Sequence, residues 1–504
     1  MRMRISLPPG ITDDNTSLAT SGRWRDGSNV RFWDGLPQTI GGWEVYVPSL
    51  ITGVCRNIHA WTDNSGQINA AFGSHSKLIL EQGGALYDIT PSGLTAGNID
   101  GLAGAGFGTG TYGSGLYGAP SSSPLFPRTW SLSTWGQNLI ASPRGGTIYS
   151  WDNVTSNIAT AVTNAPAACT SVIVVPERQI IALGCNESVG GAFNPLCIRW
   201  CDLENRTVWA ETSTNNAGEA ILEGAGRIIA GKTASGGFFV WTDNAVFFAR
   251  FVGDPGQTWR FDRLGQNCGL IGANAAVVIG DTAYWLSSSG QFFSCASGGA
   301  PVMMPCEIRS DMFDNISAAQ GDKIVASSVS AWGEVWWFYP DQRDGNENSR
   351  YIAVSLALGS WFRGDLPRTA YIDQGVLPYP LAVDFSGNVS YHEKGTTANG
   401  GPLAWALESS DILLDPNGER VLLIRGIWPD IQRQLGGILL DVKTRLWPQD
   451  TELSAGSWQL STGQSKQDFM ASGRMIRLSF SGNSAPAFAR FGAPIIDIQQ
   501  AGKM

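Results

Sequence analysis

A short hairpin returns roughly seven times along this chain, about 40–65 residues apart, and that recurrence limits the fold more than any other feature. The clearest copies are Phe238-Phe239-Val240-Trp241, turning at Thr242-Asp243-Asn244 into Ala245-Val246-Phe247-Phe248, and Thr282-Ala283-Tyr284-Trp285-Leu286, turning at residues 287–290 into Gln291-Phe292-Phe293. Further copies lie at 138–151, 179–200, 334–354 and 381–391, with a looser one at 70–87. One hairpin cannot bury its own face. Sheets repeated at this spacing do so by packing radially, so an all-β chain with a β-propeller of six or seven blades is expected over residues 41–395.

Composition agrees. Of 504 residues 62 are Gly and 20 are Trp, while only 15% are charged. Gly suits tight turns and Trp suits pleated, half-buried surfaces, so the chain reads as ordered, β-rich and turn-rich. Helix is expected below about 10%, far under the usual third. The best helical stretch is 311–320, where Met312, Phe313 and Ile316 share a face.

The ends read differently. Residues 1–40 are expected as an extended arm with its first strands, where a polar–apolar alternation through Val30 and Phe32 meets the turn Asp34-Gly35. Residues 393–402, rich in Gly and Thr, read as a linker. Beyond it, apolar runs at 421–428, 437–442, 457–460, 475–480 and 495–499 suit a C-terminal β-sandwich-like domain over 403–504. Residues 101–124 form a Gly-rich insertion whose large apolar side chains are chiefly Phe107, Tyr112, Leu116 and Tyr117. So much Gly does not order alone, so the insertion is expected to dock on a neighbour through these four residues.

Chemistry is looked for and not found. Residues 113–118 spell GxGxxG, but Pro120 and three Ser follow, so no helix can start there to face a phosphate. His59, His75 and His392 stand alone, and eight Cys are scattered without a CxxC pair, which reads as buried free thiols rather than a metal site. No cofactor is expected, and no enzyme activity. Asp243, Asp281 and Asp384 stand at hairpin turns, where Asp bonds to the local backbone. Trp200, Trp241, Trp285, Trp336 and Trp337 are expected in the core, whereas Trp24, Trp33, Trp43 and Trp61 are candidates for contacts with a partner. The net charge of −9 argues against wrapping nucleic acid, yet leaves room for a neutral or acidic pore through which DNA slides. No signal peptide or membrane span is read in the sequence.

Several phrases carry a resemblance. Residues 26–43 (Asp-Gly-Ser-Asn-Val-Arg-Phe-Trp-Asp-Gly-Leu-Pro-Gln-Thr-Ile-Gly-Gly-Trp) are one, and 198–205, 208–212, 216–218, 226–231 and 240–243 continue it. So do Trp337-Phe338-Tyr339-Pro340 and residues 361–370. Together they resemble tail hub, or nozzle, proteins of short-tailed bacteriophages, including the packaged-DNA stabilisation family. That resemblance implies a structural propeller subunit, six copies forming a ring below the portal and adaptor, with tail needle or fibre proteins beneath. Packaged DNA would pass through without sequence-specific binding. The protein would be assembled in the host bacterial cytoplasm and reside in the virion tail, with no membrane. The rival expectation is a glycan-binding or glycan-cleaving propeller, with Trp stacking on sugars and two carboxylates as acid and base.

Overall fold

In the computed structural model, residues 2–503 are described apart from Ser17, 103–124, Ala225, Pro255, Gly256, Pro416, Asn417 and Glu419. Strands hold 54% of the chain and helix 3%, so it is all-β as its hairpins require. Among the described residues, seven four-stranded antiparallel sheets follow one another around a ring. Blade 1 opens with Cys55–Thr62, blade 2 with Trp130–Trp135, blade 3 with Cys169–Val175 and blade 4 with Ile228–Ala234. Blades 5, 6 and 7 open with Ala276–Ile279, Val325–Val329 and Ala370–Ile372. Each opening strand packs against the next, and that of blade 7 packs against that of blade 1, which closes a β-propeller.

The recurring hairpins are the second and third strands of each blade. Gly237–Thr242 and Glu334–Pro340 are buried along their whole length because neighbouring blades cover both faces. Trp200, Trp241, Trp285, Trp336 and Trp337 are all buried there, as expected. Trp24 and Trp61, expected at a contact surface, are buried as well, whereas Trp33 stays exposed and packs edge-on against Trp332 at 5.0 Å. The helix is shorter than its pattern, Arg309–Asn315, and buries Met312 while Phe313 faces out beneath Arg309, since so short a helix has only one residue's width to bury.

Blade 7 is completed from the other end of the chain. Its outermost strand is Trp43–Val47, paired antiparallel with Val389–His392 in the register Trp43 to His392 and Val47 to Val389. Closing a ring with strands from both ends leaves neither end free to peel away.

The segment before that strand does not hang free as an arm. Arg2–Arg4 joins a sheet with Ile495–Lys503, Arg420–Trp428 and Gln467–Gly473. Trp24–Ser28 pairs with Leu403–Ser409 in a larger sheet that continues through Met475–Ser484 and Ile438–Arg445 to Leu453–Leu460. The hairpin of Val30–Trp33 and Leu36–Thr39 pairs with Phe488–Phe491. Both termini therefore build one β module. Its apolar cluster, with Val30, Phe32, Trp405 and Leu440, is continuous with Trp336, Phe338 and Phe362 of blade 6. The stretch expected as a linker is also tied down: Gly42 N–H donates to Gly395, Trp43 N–H to Thr397, and Asn399 N–H back to Trp43. No helix among the described residues is long and apolar enough to cross a membrane.

Candidate functional site

The four residues singled out in the insertion, Phe107, Tyr112, Leu116 and Tyr117, lie outside the described residues, as does the GxGxxG spelling. Their base does not. Residues 97–102 and 125–128, on either side of the insertion, form a strap across one end of the ring. Leu102 and Leu125 exchange two backbone hydrogen bonds, of 2.9 and 3.0 Å, so the insertion leaves and returns through one antiparallel bridge. Both leucines are exposed, at 58% and 44%, and Ile99 is at 41%, so apolar surface collects where the insertion emerges.

The strap is held by groups from well-separated blades. Gly101 N–H donates to Gln320 Oε1 at 2.9 Å, and Gln320 Nε2 donates to the Gly101 carbonyl at 2.8 Å. A side chain at Gly101 would not fit, because its Cβ would stand 2.1 Å from the Ala319 carbonyl oxygen. Lys323, with its side chain wholly buried, donates to Asp100 at 2.6 Å and to Glu347 at 2.8 Å. Arg56, at the start of blade 1, grips Glu347 with two bonds of 2.6 and 2.8 Å and the Ile99 carbonyl with a third of 3.0 Å. Charge-assisted, two-pronged contacts of this kind fix geometry as well as position. Anchors from blades 1 and 6, with blade 7 between them, hold the strap in place.

Beside it lies a cavity of about 410 Å³ lined by Phe126, Arg128, Arg144, Pro195 and Arg227 among others. The Arg144 and Arg227 guanidiniums stack on the Phe126 ring at 4.2 and 4.3 Å, a cation–π arrangement. Arg144 has Asp322 at 2.8 Å, and burial together with Arg144 pulls the Arg227 pKa down. Nothing local in the sequence brings Arg56, Gln320, Lys323 and Glu347 together, because the contacts span hundreds of residues. Arg56 sits one residue inside a strand that also carries Asn57, His59 and Thr62, so its charge does not stand out there.

A second charged region lines the seam between the propeller and the terminal module. Arg363 meets Asp13 at 3.1 Å and Asp26 at 2.8 Å, Arg343 meets Asp311 at 2.8 Å, and Arg350 meets Asp344 at 2.7 Å. Asp311 is held below the usual carboxylate range, chiefly by its hydrogen bond from Arg343, and Asp344 likewise by Arg350. A glycosidase acid needs a raised carboxyl; here the cleft carboxylates are spent on ion pairs. Asp243 and Asp384 accept from nearby backbone N–H groups, as turn aspartates do. Seven of the eight Cys are buried and all are free thiols, and no group of three potential ligands is arranged for a metal among the described residues.

No protein family and no curated protein matches the sequence. Many solved structures are similar to it, two of them as follows. One is the computationally designed Ika8 protein, at 13% identity and a TM-score of 0.39, covering 70% of this chain and 100% of the other. The second is BBS1N in complex with ARL6DN, at 12% identity and a TM-score of 0.41, covering 72% and 99%. The assignment of a propeller rests on the chain's own sheet order and ring closure.

Proposed function

We propose that this chain is a structural subunit of a virion tail hub or nozzle. Six copies form a ring below the portal and adaptor, carry needle or fibre proteins beneath, and continue the channel that retains packaged DNA. The observation that carries this reading is a two-module β body with both chain ends locked in and several strand edges left open. Val302–Met304, the outer strand of blade 5, exposes Val302 at 62% and Met303 at 53%. Gly218–Ile221, the outer strand of blade 3, exposes Ile221, and Leu453–Leu460 is an edge of the terminal module that exposes Leu453. Open apolar edges invite pairing with another chain unless an assembly covers them. A cyclic ring needs two different patches on every subunit, and these edges belong to two different blades and to the terminal module. The phage-like phrase at 26–43 runs through the terminal module to the first residue of the ring-closing strand, and that at 337–340 lies in the core of blade 6.

Negative-stain imaging of the purified protein, with and without portal and adaptor proteins, tests the reading. A sixfold ring is expected. Particles lacking the protein should fill with DNA, leak it and fail to infect, and stable infectious particles without it would refute the proposal.

A further inference from the structure

The funnel on the ring axis holds a cation with nothing to balance it. A cavity of about 200 Å³ is enclosed by the opening strands of blades 1 to 4 and by Ala273 and Asn274 of the approach to blade 5. The Asn274 side chain donates to the Arg56 carbonyl at 3.1 Å, reaching from blade 5 to blade 1. That contact ties two non-adjacent blades together at the wall of the funnel. Thr233, at the end of the blade 4 strand, is exposed and marks the open end.

The chemistry of the lining is one-sided. Its polar groups are Asn57, His59, Ser131, Ser133, Ser171, Lys232, Thr233 and Asn274, with no carboxylate among them. Asn57 and Asn274 already donate to the backbone, and Ser131 and Ser171 stand 3.1 Å apart, one hydroxyl donating to the other, while Ser131 Oγ also accepts from the Val172 N–H at 3.1 Å. Lys232 has no hydrogen bond or ion pair among the described residues. The Nε2 atom of His59 is buried and also has no partner. Burial lowers the Lys232 pKa, and burial with the nearby Lys232 charge lowers that of His59 to about 4. Lys232 is half-buried, and a half-desolvated ammonium without a counter-charge carries a cost that falls when an anion takes the cavity.

We propose that the axial funnel is a binding site for a small oxyanion of the carboxylate or phosphate class, held by Lys232 Nζ, by His59 Nε2 as its N–H tautomer, and by the Ser131–Ser171 hydroxyls. Lys232 supplies the charge. His59 stays neutral and donates, as does the one hydroxyl of the serine pair whose hydrogen is not used within the pair, so the oxygens of a tetrahedral or planar anion meet donors on several sides. The volume admits phosphate with some water, or a short dicarboxylate, and excludes a polymer. The site does not depend on the ring role proposed above.

The test uses the full chain and inorganic phosphate, malonate and chloride at matched ionic strength. Only three His are present, so the ring Cε1 signals can be followed one by one by NMR. Phosphate or malonate should move the His59 signal saturably, leave His75 and His392 in place, and raise the melting temperature. Lys232→Met should weaken binding at least tenfold while melting no lower than the parent without ligand, because it removes an unpaired half-buried charge. Equal shifts with chloride, no saturable shift of His59, or undiminished binding in Lys232→Met would each overturn the proposal. Which anion binds more tightly then distinguishes carboxylate from phosphate.

Discussion

Arg31 and Glu393 face each other as two forks, Nη1 to Oε2 at 2.5 Å and Nη2 to Oε1 at 2.8 Å, with the arginine side chain wholly buried. Arg31 belongs to the terminal module and Glu393 follows the third strand of blade 7. Arg31 Nε also lies 3.1 Å from Glu334 of blade 6, and its guanidinium sits 4.5 Å above the Trp332 ring. One cation thus ties the module to two blades beside the point where the ring closes.

Removing that cation leaves two buried carboxylates with only the Trp332, Trp336 and Gly41 N–H donors and no counter-cation. Arg31→Ala should cost about 3–5 kcal/mol of unfolding free energy, the usual penalty for breaking a buried pair. Arg31→Lys should recover only part of it, because an ammonium cannot serve two carboxylates and a ring at once. Guanidinium denaturation measures both. A loss under about 1 kcal/mol, the scale of an exposed pair, would mean that the modules are held by apolar contact alone.

The strap makes a separable prediction. At Gly101 an added methyl would collide with the Ala319 carbonyl, so Gly101→Ala should lift the strap from Gln320 without touching a blade core. Limited proteolysis should then cut within 95–128 faster than in the parent, while the main melting transition shifts little. Equal protection of both proteins would show that the ring end tolerates the bulk.

His392 gives the chain a pH dependence. Its Nε2 accepts from Arg368 Nε at 2.7 Å, and burial together with the Arg368 charge holds its pKa well below the usual value. The unfolded chain takes up this proton near about pH 6.5 and the folded chain does not, so this contribution to stability is present above that pH and is lost as pH falls. Glu334 acts in the opposite sense: burial pushes its pKa up to about 7 despite Arg31, so its contribution falls as pH rises from 4.5 toward 7. His392→Gln keeps an acceptor for Arg368 and cannot ionise. Its stability should fall less steeply between pH 6.5 and 5, by up to about 1.4 kcal/mol per pH unit, and an unchanged slope would place the titrating group elsewhere.

Legibility in the sequence follows burial. The middle strands of each blade are covered on both faces, so they appear as dense aromatic hairpins such as Phe238 to Phe248. Some outer strands are short and solvated, as is Thr160–Ala161, where both residues are exposed, and these leave no pattern to read. Opening strands face the funnel and mix small, polar and apolar residues, as Ile228–Ala234 does. The pairing of residues 24–47 with strands near 400 and 490 was not legible. A β-ladder records its register only in both partners together, and more than 300 residues separate these. The strap and the funnel were hidden for the same reason: Arg56 with Glu347, and His59 beside Lys232, are contacts of ring closure rather than of local sequence.

The insertion provides the last prediction. Because Leu102 and Leu125 already exchange both of their backbone hydrogen bonds, residues 103–124 can be replaced by a two-residue turn without stretching the strap. Among the described residues no blade strand lies between Ala85–Asp88 and Trp130–Trp135, so the propeller loses none of its described sheets. The shortened protein should melt within a few degrees of the parent. What it should lose is assembly, since Phe107, Tyr112, Leu116 and Tyr117 go with the deletion while the exposed Ile99, Leu102 and Leu125 remain at its base. Sedimentation with portal and adaptor proteins would show a weaker or missing ring. If instead the shortened monomer fails to fold, the insertion supplies part of the propeller core and its role as a docking loop is wrong. If the ring forms at full strength, contacts between subunits lie on the open strand edges of blades 3 and 5 and the terminal module.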